Sequence, residues 1–146
     1  MILADTNILT ALAKRNIPIN VVVRNALAKL RHTGDDVCLI PQNLIEFASA
    51  SVATRPVAVN GLGLNFSEAA NEIKKFKRYF FILDDVPNIF ANWEILHLKY
   101  QIVGKNVHDA RLVAAMLEHG VKHVLTFNGK DFKRFDEITV LDPVAI

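Results

Sequence analysis

A chain of 146 residues has the length of one domain, residues 1–146, large enough to bury about two-thirds of the surface that its unfolded form exposes. Hydrophobic residues make up 51% and charged residues 22%, which excludes a largely disordered chain. The net charge of +2 is by itself weak support for a nucleic-acid partner, and no apolar run approaches the roughly eighteen residues of a membrane span.

The single cysteine, Cys38, lies in the apolar run 37–40 and cannot form an internal disulfide. It reads as a small buried hydrophobe, in keeping with a reducing cytosol. The first residues have no basic stretch before their apolar ones and meet Asp5 almost at once. The expectation is therefore a soluble, cytoplasmic protein with no signal peptide.

In chain order, Ile2 to Ala4 is a short apolar run ending in Asp5-Thr6-Asn7, and Ile8, Leu9, Ala11 and Leu12 then recur at helical spacing: strand, turn, helix. Pro18 interrupts. A second helix is predicted from about Asn20 to His32, with Val22, Val23, Ala26, Leu27 and Leu30 on one face, and Gly34-Asp35-Asp36 ends it. Val37 to Ile40 reads as the second strand, and Pro41 opens a helix whose core face is expected to hold Leu44, Ile45, Phe47, Ala48 and Val52. Arg55 to Asn65 follows neither period and reads as a loop near a site. Ser67 to Tyr79 is an amphipathic helix, and Phe80 to Leu83 is either a short strand or the packed arrival of the chain before Asp84-Asp85. Asp85 and Pro87 start a helix through Ile89, Phe90, Trp93, Ile95, Leu96 and Leu98 to about Val103, with Gly104 behind it. Asn106 then opens a helix with Asp109 in its first turn and Gly120 as its stop. Val121 to Leu125 reads as a buried strand and Ile138 to Leu141 as the last one. Strands alternating with helices imply an α/β fold, a mostly parallel central sheet flanked by helices.

In such a sheet, residues just after strands gather on its C-terminal edge, as do the starts of the following helices. Four acids fall there: Asp5 after the first strand, Glu46 on the helix after the second, Asp109 at the start of the helix before the third main strand, and Asp131 shortly after that strand. Converging carboxylates repel one another unless a cation neutralises them, and an all-oxygen donor set favours Mg²⁺ or Mn²⁺ over zinc. Such a cluster suits phosphodiester hydrolysis by water. Setting these four aside leaves 11 of the 15 acidic residues against 17 basic ones, a balance that attracts a polyanion around an acidic centre. Thr6, Asn7, Thr126 and Asn128 stand beside the acids with groups able to orient them.

Asp5-Thr6-Asn7, Asn43-Leu44-Ile45-Glu46, His108-Asp109-Ala110 and the run from Thr126 to Phe132, in this order and at these separations, resemble PIN-domain ribonucleases, and more closely the VapC-type toxins of bacterial toxin–antitoxin pairs. The resemblance spans essentially the whole chain. It implies a single PIN-like domain, metal-dependent endonucleolytic cleavage of RNA, a homodimer, and inhibition by an antitoxin protein that covers the active groove. Carried over, Asp5 and Asp109 are direct metal ligands and Glu46 a third acidic member. The sequence departs from the pattern at Asn128, where many relatives have an acid. Asp131 then becomes the fourth acid and Asn128 a neutral ligand or water-binding group.

Each acid also has a plainer reading. A carboxylate at Asp109 or Asp5 favours a helix start, Glu46 fits a solvated helix, and Asp131 sits in a turn of the type that Asn, Gly and Asp populate. What favours a site is their convergence. Two alternatives stay open: a degenerate PIN fold that binds RNA or protein without cutting, and a phosphatase or phosphoacceptor domain with Asp5 as nucleophile and Lys130 as its lysine. The basic run from Lys74 to Arg78 reads as a solvated helix face, and Phe47, Phe76, Phe90 and Trp93 as core or dimer contacts in preference to base-stacking surfaces.

Overall fold

A computed structural model of the chain describes residues 1–15, 17–49, 53–59 and 61–146. Its elements, in order, are β1 (Ile2–Ala4), α1 (Thr6–Ala13), α2 (Pro18–His32), β2 (Val37–Leu39), α3 (Pro41–Ala48), a 3₁₀ turn (Val57–Val59), α4 (Phe66–Tyr79), β3 (Phe81–Ile82), α5 (Asn88–Tyr100), α6 (Asn106–Glu118), β4 (His123–Leu125), α7 (Gly129–Phe132) and β5 (Thr139–Leu141). The five strands form one sheet in the order β3-β2-β1-β4-β5, and every pairing is parallel. Leu3 lies beside Cys38 on one side and Val124 on the other, so β1 is the central strand.

Side chains alternate across this sheet, and each face carries its own core. Ile2, Ala4, Val37, Leu39 and Leu125 point to one side, where Ile8, Leu9, Val23, Leu27, Phe47 and Phe76 from α1 to α4 cover them. Leu3, Cys38 and Val124 point to the other, against Ile89, Leu96, Leu112, Val113 and Met116 from α5 and α6 and Phe132 from α7. This double cover explains why the strands read as continuous apolar runs. Burial pushes the Cys38 thiol up to about 11, so it stays a neutral part of the core. Among the described residues no helix is long and apolar enough to cross a membrane.

The expected α/β architecture is present, with local differences. Pro18 starts α2 instead of interrupting before it, because the first helical position needs no N–H donor. On α3, Phe47 is buried and Leu44 partly so, but Ile45 is 69% exposed and Ala48 is exposed as well. The buried face of α3 instead includes Gln42 and Asn43, two polar residues. Val52 lies outside the described residues, as does Asn60 within the irregular segment 55–65. Gly61 packs so closely on Arg55 that a Cβ would fall 1.8 Å from its carbonyl oxygen. The stretch from Phe80 settles as an edge strand, α5 begins at Asn88 and ends at Tyr100, and Val121 and Lys122 precede β4. Gly120, at φ 67°, stops α6 as expected.

Candidate active site

The strand order places successive connections on opposite sides of β1: the chain leaves β1 towards β2 and later returns to pair β4 on the other edge. Adjacent strands whose connections diverge leave a crevice at their carboxyl ends, where open parallel sheets bind ligands. Asp5 follows β1 and Thr126 follows β4, so both line that crevice.

Asp5 is only 9% exposed. Its Oδ1 accepts from the Thr6 amide at 2.6 Å and caps α1. Its Oδ2 accepts from the Asn7 amide group at 2.8 Å and from the Thr126 hydroxyl at 2.7 Å. Thr126 Oγ1 in turn accepts from Asn7 Nδ2 and from the backbone N–H of Asn128, both at 2.9 Å. Asn7 Oδ1 takes the Phe127 amide at 3.3 Å. The ends of β1 and β4 are thus tied by one polar knot, and Asp5 is held in a single orientation.

Glu46 reaches the same place from α3. Its Oε2 accepts from the Thr6 hydroxyl at 2.7 Å and its Oε1 from Gln42 Nε2 at 2.7 Å. Gln42 stands one helical turn before Glu46 on the same face, and its amide is used completely. Nε2 also donates to the His108 carbonyl at 3.0 Å, and Oε1 accepts from Arg111 at 3.0 Å. Arg111 is anchored by both oxygens of Asp85 at 3.0 Å. Gln42 therefore connects Glu46 to the first turn of α6, which carries Asp109. Asn43, fully buried, fixes the start of α3 by accepting from the Ile40 N–H at 2.9 Å.

Asp109 projects from the N-terminal turn of α6. Asn106 lies inside the helix and not at its cap, where Lys105 stands without a side-chain bond. Asp109 receives no hydrogen bond from a described side chain, in contrast with the other three acids. Asp131 lies in α7, where Asn128 Nδ2 donates to its Oδ2, and Lys105 Nζ lies 3.8 Å from the same oxygen.

All four acids share one electrostatic field. Burial holds the Asp109 carboxyl up at about 6, and the charges of Asp5, Asp131 and Glu46 add to the shift while Lys105 opposes it. Burial also raises Asp5, against the hydrogen bonds from Thr126 and Thr6 and together with Glu46 and Asp131. The site thus carries more negative charge than its fixed donors satisfy, which fits an all-oxygen cation site. Among the described residues, the carboxylates do not close into a group of three able to hold a metal ion.

Every site residue expected from the sequence lies at this edge: Asp5, Glu46, Asp109 and Asp131, with Asn7, Thr126 and Asn128 between them. Sequence reasoning missed Gln42, Arg111 and Asp85. The available signal was the four-residue spacing of Gln42 and Glu46, which places both on one helical face. Lys130 is exposed and is bonded to none of these residues, which disfavours a phosphoacceptor role.

No protein-family model matches this sequence, and no curated protein matches it closely. Solved structures do. The chain is similar to one in the VapBC2 structure of Rickettsia felis bound to a DNA fragment from their promoter, with TM-score 0.73 and 16% identity over 97% of this chain and 98% of that one. It is similar to one in FitAcB of Neisseria gonorrhoeae, with TM-score 0.71 and 21% identity over 100% of both chains. It also resembles VapC20 of Mycobacterium tuberculosis, a sarcin-ricin loop cleaving toxin, with TM-score 0.61 and 15% identity over 90% and 93%. The chain has the fold of a VapC-type PIN domain.

Proposed function

We propose that the protein is a Mg²⁺- or Mn²⁺-dependent endoribonuclease, acting in the cytoplasm as the toxin of a toxin–antitoxin pair. The observation that carries this reading is the gathering of four carboxylates from four separate elements into one electrostatic field at the β1/β4 crevice, with Asp109 receiving no hydrogen bond from a described side chain. Asp5, Glu46 and Asp109 hold the cation, and Asp131 with Asn128 completes the rim. A bound divalent ion supplies positive charge to the phosphodiester as water attacks and to the oxygen that departs. Thr126, Asn7 and Thr6 keep Asp5 and Glu46 in position, while Gln42 fixes Glu46 relative to α6. Water forms the new bond to phosphorus as the 3′-oxygen leaves, so the products carry a 5′-phosphate and a 3′-hydroxyl, and no covalent enzyme intermediate forms.

The similarity to chains from VapBC and FitAB complexes supports an antitoxin protein as partner. A homodimer has support in α5, whose outer face exposes Ile95 and Leu98 at 63% and 75%.

Incubation of the purified protein with structured RNA, a sarcin-ricin stem-loop included, tests the activity in Mg²⁺, in Mn²⁺, in chelator, and with Asp109→Asn. The proposal expects cleavage in either metal, none in chelator, and a loss of at least about 100-fold in the variant. Cleavage that survives both the chelator and the substitution overturns it. Asn128 in place of an acid, and the lack of a group of three such ligands among the described residues, favour one second reading: a PIN fold that binds RNA or protein without cutting. Metal binding with no cleavage of any RNA is its signature.

A further inference from the structure

Beside the acids, α5 and the start of α6 enclose a cleft of about 200 Å³ lined by Phe90, Trp93, Val107, His108 and Arg111. We propose that it receives one unpaired nucleobase of the RNA strand, next to the bond that is cut. This inference rests on the nuclease reading above.

Ring geometry is the first support. The other aromatic pairs of the described residues meet edge to face or tilted: Phe47 and Phe76 at 89°, Tyr79 and Phe80 at 78°, Tyr100 and Phe135 at 77°, and Phe76 and Phe80 at 52°. Along α5 the arrangement differs. Phe90 and Trp93 are stacked at 5.7 Å and 20°, and Trp93 and His97 at 5.0 Å and 12°. This parallel ladder ends at Phe90, which is 64% exposed. An open-ended stack of flat rings is the surface that an unstacked base extends. Trp93 satisfies its indole N–H internally, on the Val107 carbonyl at 2.9 Å, so its ring is fixed within the stack between Phe90 and His97, and the open end of that stack is Phe90.

Size and continuity are the second. The cleft accommodates one flat ring system and is too narrow for a helix of ~10 Å diameter. Val107 and His108 stand in the same first turn of α6 as Asp109, so the cleft lies within a few ångströms of the acidic edge along the helix. Arg111 belongs to both sites, since it lines the cleft and bonds Gln42, which bonds Glu46. Charge is the third: Lys105, whose side chain is 80% exposed, stands two residues before Val107 at the start of α6, a cation suited to a phosphate of the strand, while Arg111 is already held by Asp85 and Gln42.

Trp93 is the only tryptophan, so its emission reports on the cleft directly. In chelator, where no cleavage proceeds, the protein is titrated with a labelled single-stranded RNA hexamer and with an abasic hexamer, following both Trp93 emission and the anisotropy of the label. The proposal expects saturable quenching by the RNA, no quenching by the abasic strand, and about tenfold weaker RNA binding for Phe90→Ala, with Phe90→Tyr restoring it and the oligomeric state unchanged. Anisotropy showing RNA bound while Trp93 is unaffected and Phe90→Ala binds normally overturns it. So does Trp93 emission that follows protein concentration in place of RNA, with Phe90→Ala dissociating the protein, because the cleft then belongs to a second copy. Absence of any RNA binding overturns both this inference and the nuclease reading. Base-dependent quenching without cleavage in metal supports the cleft while removing the nuclease reading.

Discussion

Asp109 is where the cost of the site is concentrated. Its carboxyl is held at about 6, against an ordinary 3.8, first by burial and then by the charges of Asp5, Asp131 and Glu46. A raised value means that the native state takes up a proton more readily than the unfolded chain. The fold is therefore penalised in full above about pH 6, and the penalty fades as pH falls through 6 and is gone below 3.8. Asp5 acts in the same direction. In chelator, Asp109→Asn should therefore melt at a higher temperature than the native protein at about pH 7.5, with the difference shrinking towards about pH 5. Equal melting temperatures across that range would show that the acids do not burden the fold. Gln42 is the second residue of consequence. Gln42→Leu retains the volume but releases Glu46 and the His108 carbonyl, so activity or metal affinity should drop by about 10- to 100-fold. An unchanged rate would make the Gln42 network incidental.

At the scale of elements, α3 separates what side-chain identity dictates from what it does not. Phe47 is fully buried against Phe76 at 5.0 Å, and Phe47→Ala should cost ~3–5 kcal/mol in denaturant unfolding. Ile45, two residues earlier, is exposed, and Ile45→Lys should change stability by no more than about 0.5 kcal/mol. Reversed magnitudes would mean that α3 is rotated about its axis. Apolar periodicity alone placed both residues inside, because a helix of eight residues supplies too few turns to define one face when polar groups also face inward. Gln42 and Asn43 are buried for their hydrogen bonds, and hydropathy cannot announce that. Elsewhere local chemistry was sufficient. Gly120 after α6, Pro41 at the first position of α3 and the apolar triplets of the strands located the elements to within a few residues. The alternation of strand and helix implied the parallel sheet. Strand order was not legible, since nothing in β1 states that β4 and not β3 lies beside it.

Across the whole molecule, the sheet turns scattered acids into neighbours. Asp5 and Asp131 are far apart in the chain, yet they meet because β1 and β4 are adjacent and each ends at the same edge. Their order along the sequence therefore pointed to this edge better than any one motif, whereas Arg111 and Gln42, which are bonded there, become visible only in three dimensions. The outer face of α5 also belongs to this scale. Leu98→Glu should convert a dimer to a monomer in sedimentation without unfolding the protomer, and a variant that sediments as the native protein does would exclude that face as the contact.

The central claim is that the carboxylates at the β1/β4 crevice form one cation site. Calorimetric titration of the metal-free protein with Mn²⁺ at about pH 7.5 tests it most directly. The native protein should bind Mn²⁺ saturably, and Asp109→Asn, still folded, should bind at least about tenfold more weakly; equal affinity in the two proteins would contradict the claim.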